Sequence, residues 1–444
     1  MSIGKRIVWA IVAMLLLCGC GTAPVEIPET TPAATEAATV STTVAPTTAE
    51  TEPTETQLPT VAETEPEEIL QIPEAQRIRE DFTVFLNRAD ISYPMGDGDV
   101  LSGNTIYENQ RLEIESDTPF ASLYLVWDNM PGEYTLFYDG GSVSCGKEDF
   151  LHEYVVLPEP VTYLEFVFRD GVTPRLCDLF GYTQGSAPEE VQIWQPPCEE
   201  ADILVFPTHA DDDTLFFGAL IAYYCIEQEL KVQTAFMVQH SSVLPERKHE
   251  RLNGLWAMGV RYYPILGTAP DSPTHDFQEA MNTYAHSEIL QWQVTQIRRF
   301  RPLVILGHDL EGEYGNGGHK VNAYYLTQAI HAAKDPMEFP DSAKKYGTWE
   351  TPKLYLHLYP EHSWSFDVET PMTGDPQGRT PLEVAQYAVD FHVSQKAGIW
   401  TVRDGLRNPT LDCRAFGLYH TLVGFDTTAD VMENIIPHYW RSRH

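Results

Sequence analysis

Beyond residue 199 the chain alternates short apolar runs with helical patterns, and this alternation constrains the fold more than any other feature. The apolar runs stand at 203–206, 231–238, 263–266, 303–306 and 353–358. Helical patterns stand at 215–226, 247–258, 287–300 and 320–333. Apolar strands alternating with helices predict a parallel sheet buried on both sides. The expected class is α/β: a Rossmann-like, mostly parallel sheet with helices on both faces, filling residues 199–444. In such sheets ligands bind outside the carboxyl ends of the strands.

Two polar clusters fall at strand ends. His209, Ala210, Asp211, Asp212 and Asp213 directly follow the first run. Each aspartate in the triplet disfavours ionisation of the next, so the cluster is costly unless a cation sits among them. A second cluster, 307–320, follows the fourth run and carries His308, Glu313, Tyr314, Asn316 and His319. Two His/Asp clusters on one sheet edge can converge. Histidine and carboxylate ligands with an open position suit a catalytic Zn²⁺ or another divalent metal, and the ion's charge reverses the local pKa logic. Two rivals fail. Aligning Thr214 and Leu215 with a phosphatase loop puts Ala210 where the nucleophilic aspartate must be. The glycines at 315, 317 and 318 lack the lysine–serine pair of a phosphate-binding loop.

The upstream chain divides into three parts. Residues 1–20 have a basic start at Lys5 and Arg6, then an apolar core at 7–17 too short to span a membrane. Leu17, Cys18, Gly19 and Cys20 resemble a bacterial lipobox. That implies cleavage before Cys20, a lipid on its thiol, and an extracytoplasmic protein anchored to a bacterial cell membrane. Residues 21–75 are rich in Thr, Pro and Glu with no Lys or Arg, and are expected to be a disordered tether. Residues 76–195 carry strand patterns at 121–127, 133–138, 154–157 and 163–168, separated by Gly, Pro, Asp and Asn. They predict an all-β sandwich in which Trp127, Tyr138 and Trp194 could serve as sugar-stacking platforms. The net charge of −35 argues against a nucleic-acid partner. The cysteines fit no framework; Cys145 with Cys177 is one conceivable pair. His240 and His249 belong to no motif and read as surface residues.

The clusters together resemble the PIG-L/LmbE-like N-deacetylases over residues 199–400. The first motif of that family, His-Pro-Asp-Asp-Glu, reads here as 209–213, and its later motif, His-Asp-x-Glu-Gly-Glu-Tyr-Gly-His-x-x-His, as 308–319. Arg247 and Glu250 match its Arg-x-x-Glu helix, and His392 its late His-x-Ser-Gln. The resemblance implies that His209, Asp212 and His319 hold a metal, and that Asp211 is the base that takes a proton from the attacking water. Tyr314 would assist at the developing oxyanion, and Arg247 would support the substrate side. The implied substrate is an N-acetylated sugar or glycoconjugate.

Three positions depart from the pattern. Ala210 replaces Pro. Asp213 replaces Glu and is expected as a supporting carboxylate or helix cap. Asn316 replaces a histidine expected near the oxyanion; it can donate a hydrogen bond but cannot deliver a proton. Asp211 would then return its own proton, or His308 or His392 would act as the acid. The alternative reading is a weakened or non-catalytic carbohydrate-binding lipoprotein. Oligomeric state is left open by the sequence.

Overall fold

The computed structural model describes residues 72–239, 244–271, 273–284, 286–396, 398 and 400–435. The expected signal peptide, Cys20, most of the tether and His240 lie outside the described residues. The tether ends sooner than the sequence predicts, because Ala75 already exchanges backbone hydrogen bonds near Ser186. The described residues belong to one compact unit, in which two folded parts can be distinguished. Among them no helix is long and apolar enough to cross a membrane.

The first part is antiparallel. Its strands are β1 (Arg77–Ile78), β2 (Phe82–Leu86), β3 (Ala89–Asp90), β4 (Asn104–Thr105), β5 (Leu112–Trp127), β6 (Tyr134–Tyr138), β7 (Gly141–Cys145), β8 (His152–Phe168) and β9 (Arg175–Tyr182). The regular short strands expected here are partly fused: β5 and β8 run 16 and 17 residues. Register shifts between Glu115 and Ser122 let β5 change neighbours along its length. Its first segment pairs with β2 and its second with β9. Leu112, Ile114, Leu123, Leu125, Leu136, Leu164 and Phe166 fill the core between the layers. Trp127 and Trp194 are buried in the same core, so they are not sugar platforms. An aromatic residue on the inward face of a strand is worth more in the core than on the surface. Cys145 and Cys177 are both free thiols.

The second part is the α/β sheet. Strands β10 (Ile203–Val205), β11 (Val232–Val238), β12 (Ile265–Ala269), β13 (Val304–Gly307), β14 (Lys353–His357), β15 (Ser363–Ser365) and β16 (Ala415–Thr421) line up as β12-β11-β10-β13-β14-β16-β15. The first five in that order are parallel; β16 and β15 add antiparallel beyond β14, past the point where the sequence pattern closes. The helices are α1 (Asp212–Leu215), α2 (Gly218–Ala222), α3 (Glu246–Ala257), α4 (Phe277–Thr283), α5 (His286–Phe300), α6 (Gly317–Ala332), α7 (Pro340–Tyr346), α8 (Pro381–Val389) and α9 (Val402–Gly405). Side chains alternate along β10. Ile203 and Val205 pack toward α2, α3 and α8, while Leu204 and Phe206 pack toward α5 and α6. The single helix expected over 215–226 is broken at Phe216 and Phe217, both fully buried, and it ends as a π turn at Tyr223–Glu227.

The two parts are joined through α3 and the segment before β12. The Leu151 N–H donates to Tyr263 Oη at 3.1 Å, and Phe150 stacks on Tyr263 at 4.7 Å. The Tyr263 N–H donates to the Gln195 carbonyl at 2.9 Å, so the strand expected at 263–266 joins the sheet only from Ile265. His249 is a correction: it is buried, with Nδ1 2.9 Å from Nε2 of His152 on β8. Its helical face is polar in sequence because it meets the other part, not solvent.

Candidate metal and catalytic site

Strand β10 lies between β11 and β13, where the chain turns to opposite sides of the sheet. Such a switch point opens a crevice at the carboxyl ends of the strands. The 209–213 cluster leaves β10 there, and the 308–319 cluster leaves the neighbouring β13. Residues about a hundred positions apart are thereby brought into contact.

Three of the expected ligands converge. His209 Nδ1 is 3.2 Å from Asp212 Oδ2, His319 Nε2 is 3.2 Å from Asp212 Oδ1, and the two ring nitrogens are 3.2 Å apart. Asp212 is fixed by its own loop: Oδ2 accepts the N–H of Thr208 at 3.1 Å and of His209 at 2.6 Å. Burial opposes its charge, but His319 and His209 outweigh burial and hold the carboxyl well below the usual range. The donor set fits a divalent ion. His319 Nδ1 is 2.7 Å from Glu313 Oε2 and must donate to it, which leaves Nε2 bare. A bare nitrogen facing a carboxylate oxygen needs a cation or proton between them. Tetrahedral zinc with bonds of about 2.0–2.1 Å would set such atoms roughly 3.3 Å apart.

Glu313, which sequence reasoning assigned no role, organises the rear of the site. It is fully buried and accepts from His308 at 2.8 Å, His319 at 2.7 Å and His357 at 2.7 Å. Burial disfavours its charge, yet these rings overcome that and keep the carboxyl well below its ordinary value. His357 Nε2 faces the Asp412 carbonyl at 2.9 Å, which fixes the ring between that carbonyl and Glu313. His308 is fully buried, accepts the Thr208 N–H at 3.0 Å on Nε2, and stacks on His319 at 4.1 Å. It grips the two loops together and has no open face toward a substrate. His392 is also buried, behind the acidic loop, where a Cβ added to Gly254 would come within 3.2 Å of its Nε2. The Glu250 carboxylate accepts both the N–H and the hydroxyl of Ser394, which ties that segment to α3.

Asp211 occupies the N-cap position of α1 without capping it through its side chain. Arg247 Nη2 holds its Oδ1 at 3.1 Å. Burial and the charge of Asp212 raise the Asp211 carboxyl above its ordinary value, against the pull of Arg247 and His209. Asp213 is not the helix cap. It lies inside the first turn, fully buried, and neither of its oxygens has a hydrogen-bond partner among the described residues. Burial and Asp211 push its carboxyl well above the usual range, with Arg251 opposing. Asp271 was also missed. Its carboxylate lies 3.6 Å from His209 Nε2 and 3.9 Å from Arg247. It stands two residues past β12, and His357 ends β14, so the strand-end rule applied to every strand would have flagged both.

Tyr314 is held in the left-handed region at φ 46°, ψ 21°, between Gly312 and Gly315 at positive φ. That conformation costs a bulky residue on the order of 1–3 kcal/mol, and it leaves the ring 44% exposed beside His319. Burial and the carboxylates of Asp212 and Asp211 raise its phenol, so it stays a donor. Asn316 has a structural task the sequence did not reveal. Its Oδ1 caps α6 by accepting the N–H of Gly318 at 2.8 Å and of His319 at 3.2 Å, while Nδ2 lies 3.3 Å from Tyr314 Oη.

No family model matches the chain. It is similar to the 1D-myo-inositol 2-acetamido-2-deoxy-alpha-D-glucopyranoside deacetylase of Geodermatophilus obscurus, at 28% identity over 36% of this chain and 61% of that protein. It is also similar to the corresponding deacetylase 1 of Frankia casuarinae, at 28% identity over 34% of this chain and 57% of that protein. The chain thus spans about three fifths of these relatives. Among solved structures it is similar to the N,N'-diacetylchitobiose deacetylase of Pyrococcus horikoshii, at 17% identity and a TM-score of 0.34 over 47% of this chain and 75% of that one.

Proposed function

We propose that the chain from about residue 199 onward is a PIG-L/LmbE-like N-deacetylase domain, and that this protein hydrolyses the acetamide of an N-acetylated amino sugar or related glycoconjugate in a metal-dependent reaction. The observation that carries the reading is the convergence of His209, Asp212 and His319 at 3.2 Å separations beside the raised carboxylate of Asp211. Zinc or another divalent ion held by those three residues would polarise the acetamide carbonyl and make a water more acidic. Asp211 takes a proton from the attacking water as its oxygen bonds to the carbonyl carbon. A carboxylate raised toward neutral pH is a better base than an unperturbed one. Arg247 fixes the Asp211 carboxylate in place. The Tyr314 hydroxyl donates to the developing oxyanion, steadied by Asn316. Asn316 cannot supply the departing amine with a proton, so Asp211 returns the one it took as the C–N bond breaks. The products are acetate and the free amine.

We place the protein outside the cytoplasm, tethered to the membrane by lipid on Cys20. The relatives' named substrate, a glucosamine–inositol acetamide, supports an amino-sugar substrate. Asn316 favours a second reading, a carbohydrate binder with weakened catalysis. Acetate release from N-acetylglucosamine derivatives by the zinc-loaded protein, with Asp211→Asn as control, separates the two. Release that is equal in both proteins overturns the assignment of the base, and absence of release from the intact protein favours the binder.

A further inference from the structure

A cleft of about 1230 Å³ lies between the β part and the α/β part. It backs onto α3 and α8, the helices that also support the acidic loop. Arg247 at the start of α3 reaches the catalytic site, while Trp256 near its end lines the cleft. Nine residues of helix separate them, roughly 14 Å at about 1.5 Å per residue.

The lining is unusual in one respect: three aromatic rings each carry a guanidinium. Arg77 lies 4.0 Å from the Phe180 ring centre, Arg261 3.8 Å from Trp256, and Arg379 5.5 Å from Tyr387. Tyr387 is 48% exposed, although it sits in a concavity. Rigid rings in a wet cleft present flat apolar surfaces, and the polar groups around them set orientation. The charges argue against an ionic ligand. Asp375 binds Arg379 through Nη2 at 2.7 Å and Nε at 3.1 Å, and Asp178, Glu189, Glu190 and Glu229 outnumber the remaining arginines. A phosphorylated or polyanionic ligand would meet this acidic excess. A neutral ligand with alternating apolar faces and hydroxyl edges suits both the rings and the fixed charge pairs.

We propose that this cleft is a second carbohydrate-binding site, distinct from the catalytic pocket, which holds a neutral glycan chain of several N-acetylated sugar units. The choice of N-acetylated units rests on the deacetylase reading; the existence of the site does not. The protein would thereby favour polymeric over monomeric substrates.

The test uses the full-length, zinc-loaded protein with β-1,4-linked N-acetylglucosamine hexamer and with the N-acetylglucosamine monosaccharide. Calorimetry on Asp211→Asn measures hexamer binding without turnover. Adding Tyr387→Ala is expected to weaken hexamer binding about tenfold, the loss of one stacking surface, and Arg261→Ala, which removes the guanidinium lying over the Trp256 ring, is expected to weaken it by a smaller factor. With Asp211 intact, the same two substitutions are expected to raise KM for the hexamer and leave kcat and monosaccharide turnover unchanged. Hexamer affinity unaltered by both substitutions, or no hexamer binding to the parent, overturns the proposal. If binding depends on Tyr387 and Arg261 but no acetate is released from any sugar, the cleft stands and the deacetylase reading falls.

Discussion

Single residues set the chemistry, and their neighbours decide what each can do. Asp211 and Asp212 are adjacent in sequence, but one is raised by burial and its neighbour while the other is lowered by two histidines. Asp211→Asn keeps the shape and removes the proposed base. Acetate release is expected to fall by roughly 10²–10⁴-fold with metal content unchanged, read by steady-state kinetics and metal analysis on one preparation. Glu313 orients His319 from behind, and outer partners of this kind are worth about 10–100-fold in metal affinity. Glu313→Gln is expected to weaken zinc binding by that factor; titration with a competing chelator measures it. Asn316 joins two tasks, because its oxygen caps the helix that carries His319. Asn316→Ala should cost about 1 kcal/mol of stability through the lost cap, seen as a lower denaturation midpoint. Asn316→Asp, which keeps the capping oxygen, should restore the midpoint.

At the level of elements, the strand ends organise the site. Much of this was legible in the sequence, because parallel strands buried on both faces leave apolar runs, and each functional cluster followed one directly. The strand ends implied only that the two clusters can converge; it was the resemblance to the deacetylase motifs that singled out His209, Asp212 and His319. What the sequence hid is what depends on elements meeting out of order. His357 joins Glu313 from a position 44 residues further on; its place at a strand end marked it as a candidate, but no local period signals which residue it meets. Asn316 read as a weakened catalytic residue, because its backbone partners are invisible until α6 is seen to begin at Gly317. Trp127 could be read as a binding platform because a strand's inner and outer faces look alike until its register is known, and Trp194 because the segment between the two parts shows no period that marks it as buried. A divalent ion would tie the end of β10 to the start of α6 across the sheet. Removing it with a chelator is therefore expected to lower the melting temperature as well as abolish acetate release, with both restored by added zinc. A melting temperature unmoved by chelation would argue against the ion being held by these two elements.

For the whole molecule, the junction between the two parts is built from groups that dislike charge. His152 is held at about 3 by burial, below its ordinary 6.5, and His249, against it, is pushed well below by burial and nearby cations. Tyr124 Oη contacts the far nitrogen of His152, and Lys248 pairs with Asp128 alongside. Both rings are neutral in the fold, so the unfolded chain binds more protons between about pH 6.5 and 3. Stability is full above that window and falls as pH drops through it, by about 1.4 kcal/mol per pH unit for each ring. Unfolding free energies measured from pH 7 to 4 are expected to decline on that slope, and His152→Gln, which cannot titrate, should roughly halve it, since His249 remains. The apolar core also runs without a break from Leu125 and Leu151 through Trp194 to Ile203 and Leu252. A chain shortened to begin at residue 199 would expose the surface that Trp194 and Phe150 now cover, and it should be recovered mainly as aggregate. Seen as heredity rather than architecture, the seam binds the two parts to a shared history: a substitution that reshapes the face of one calls for an answering change in the other.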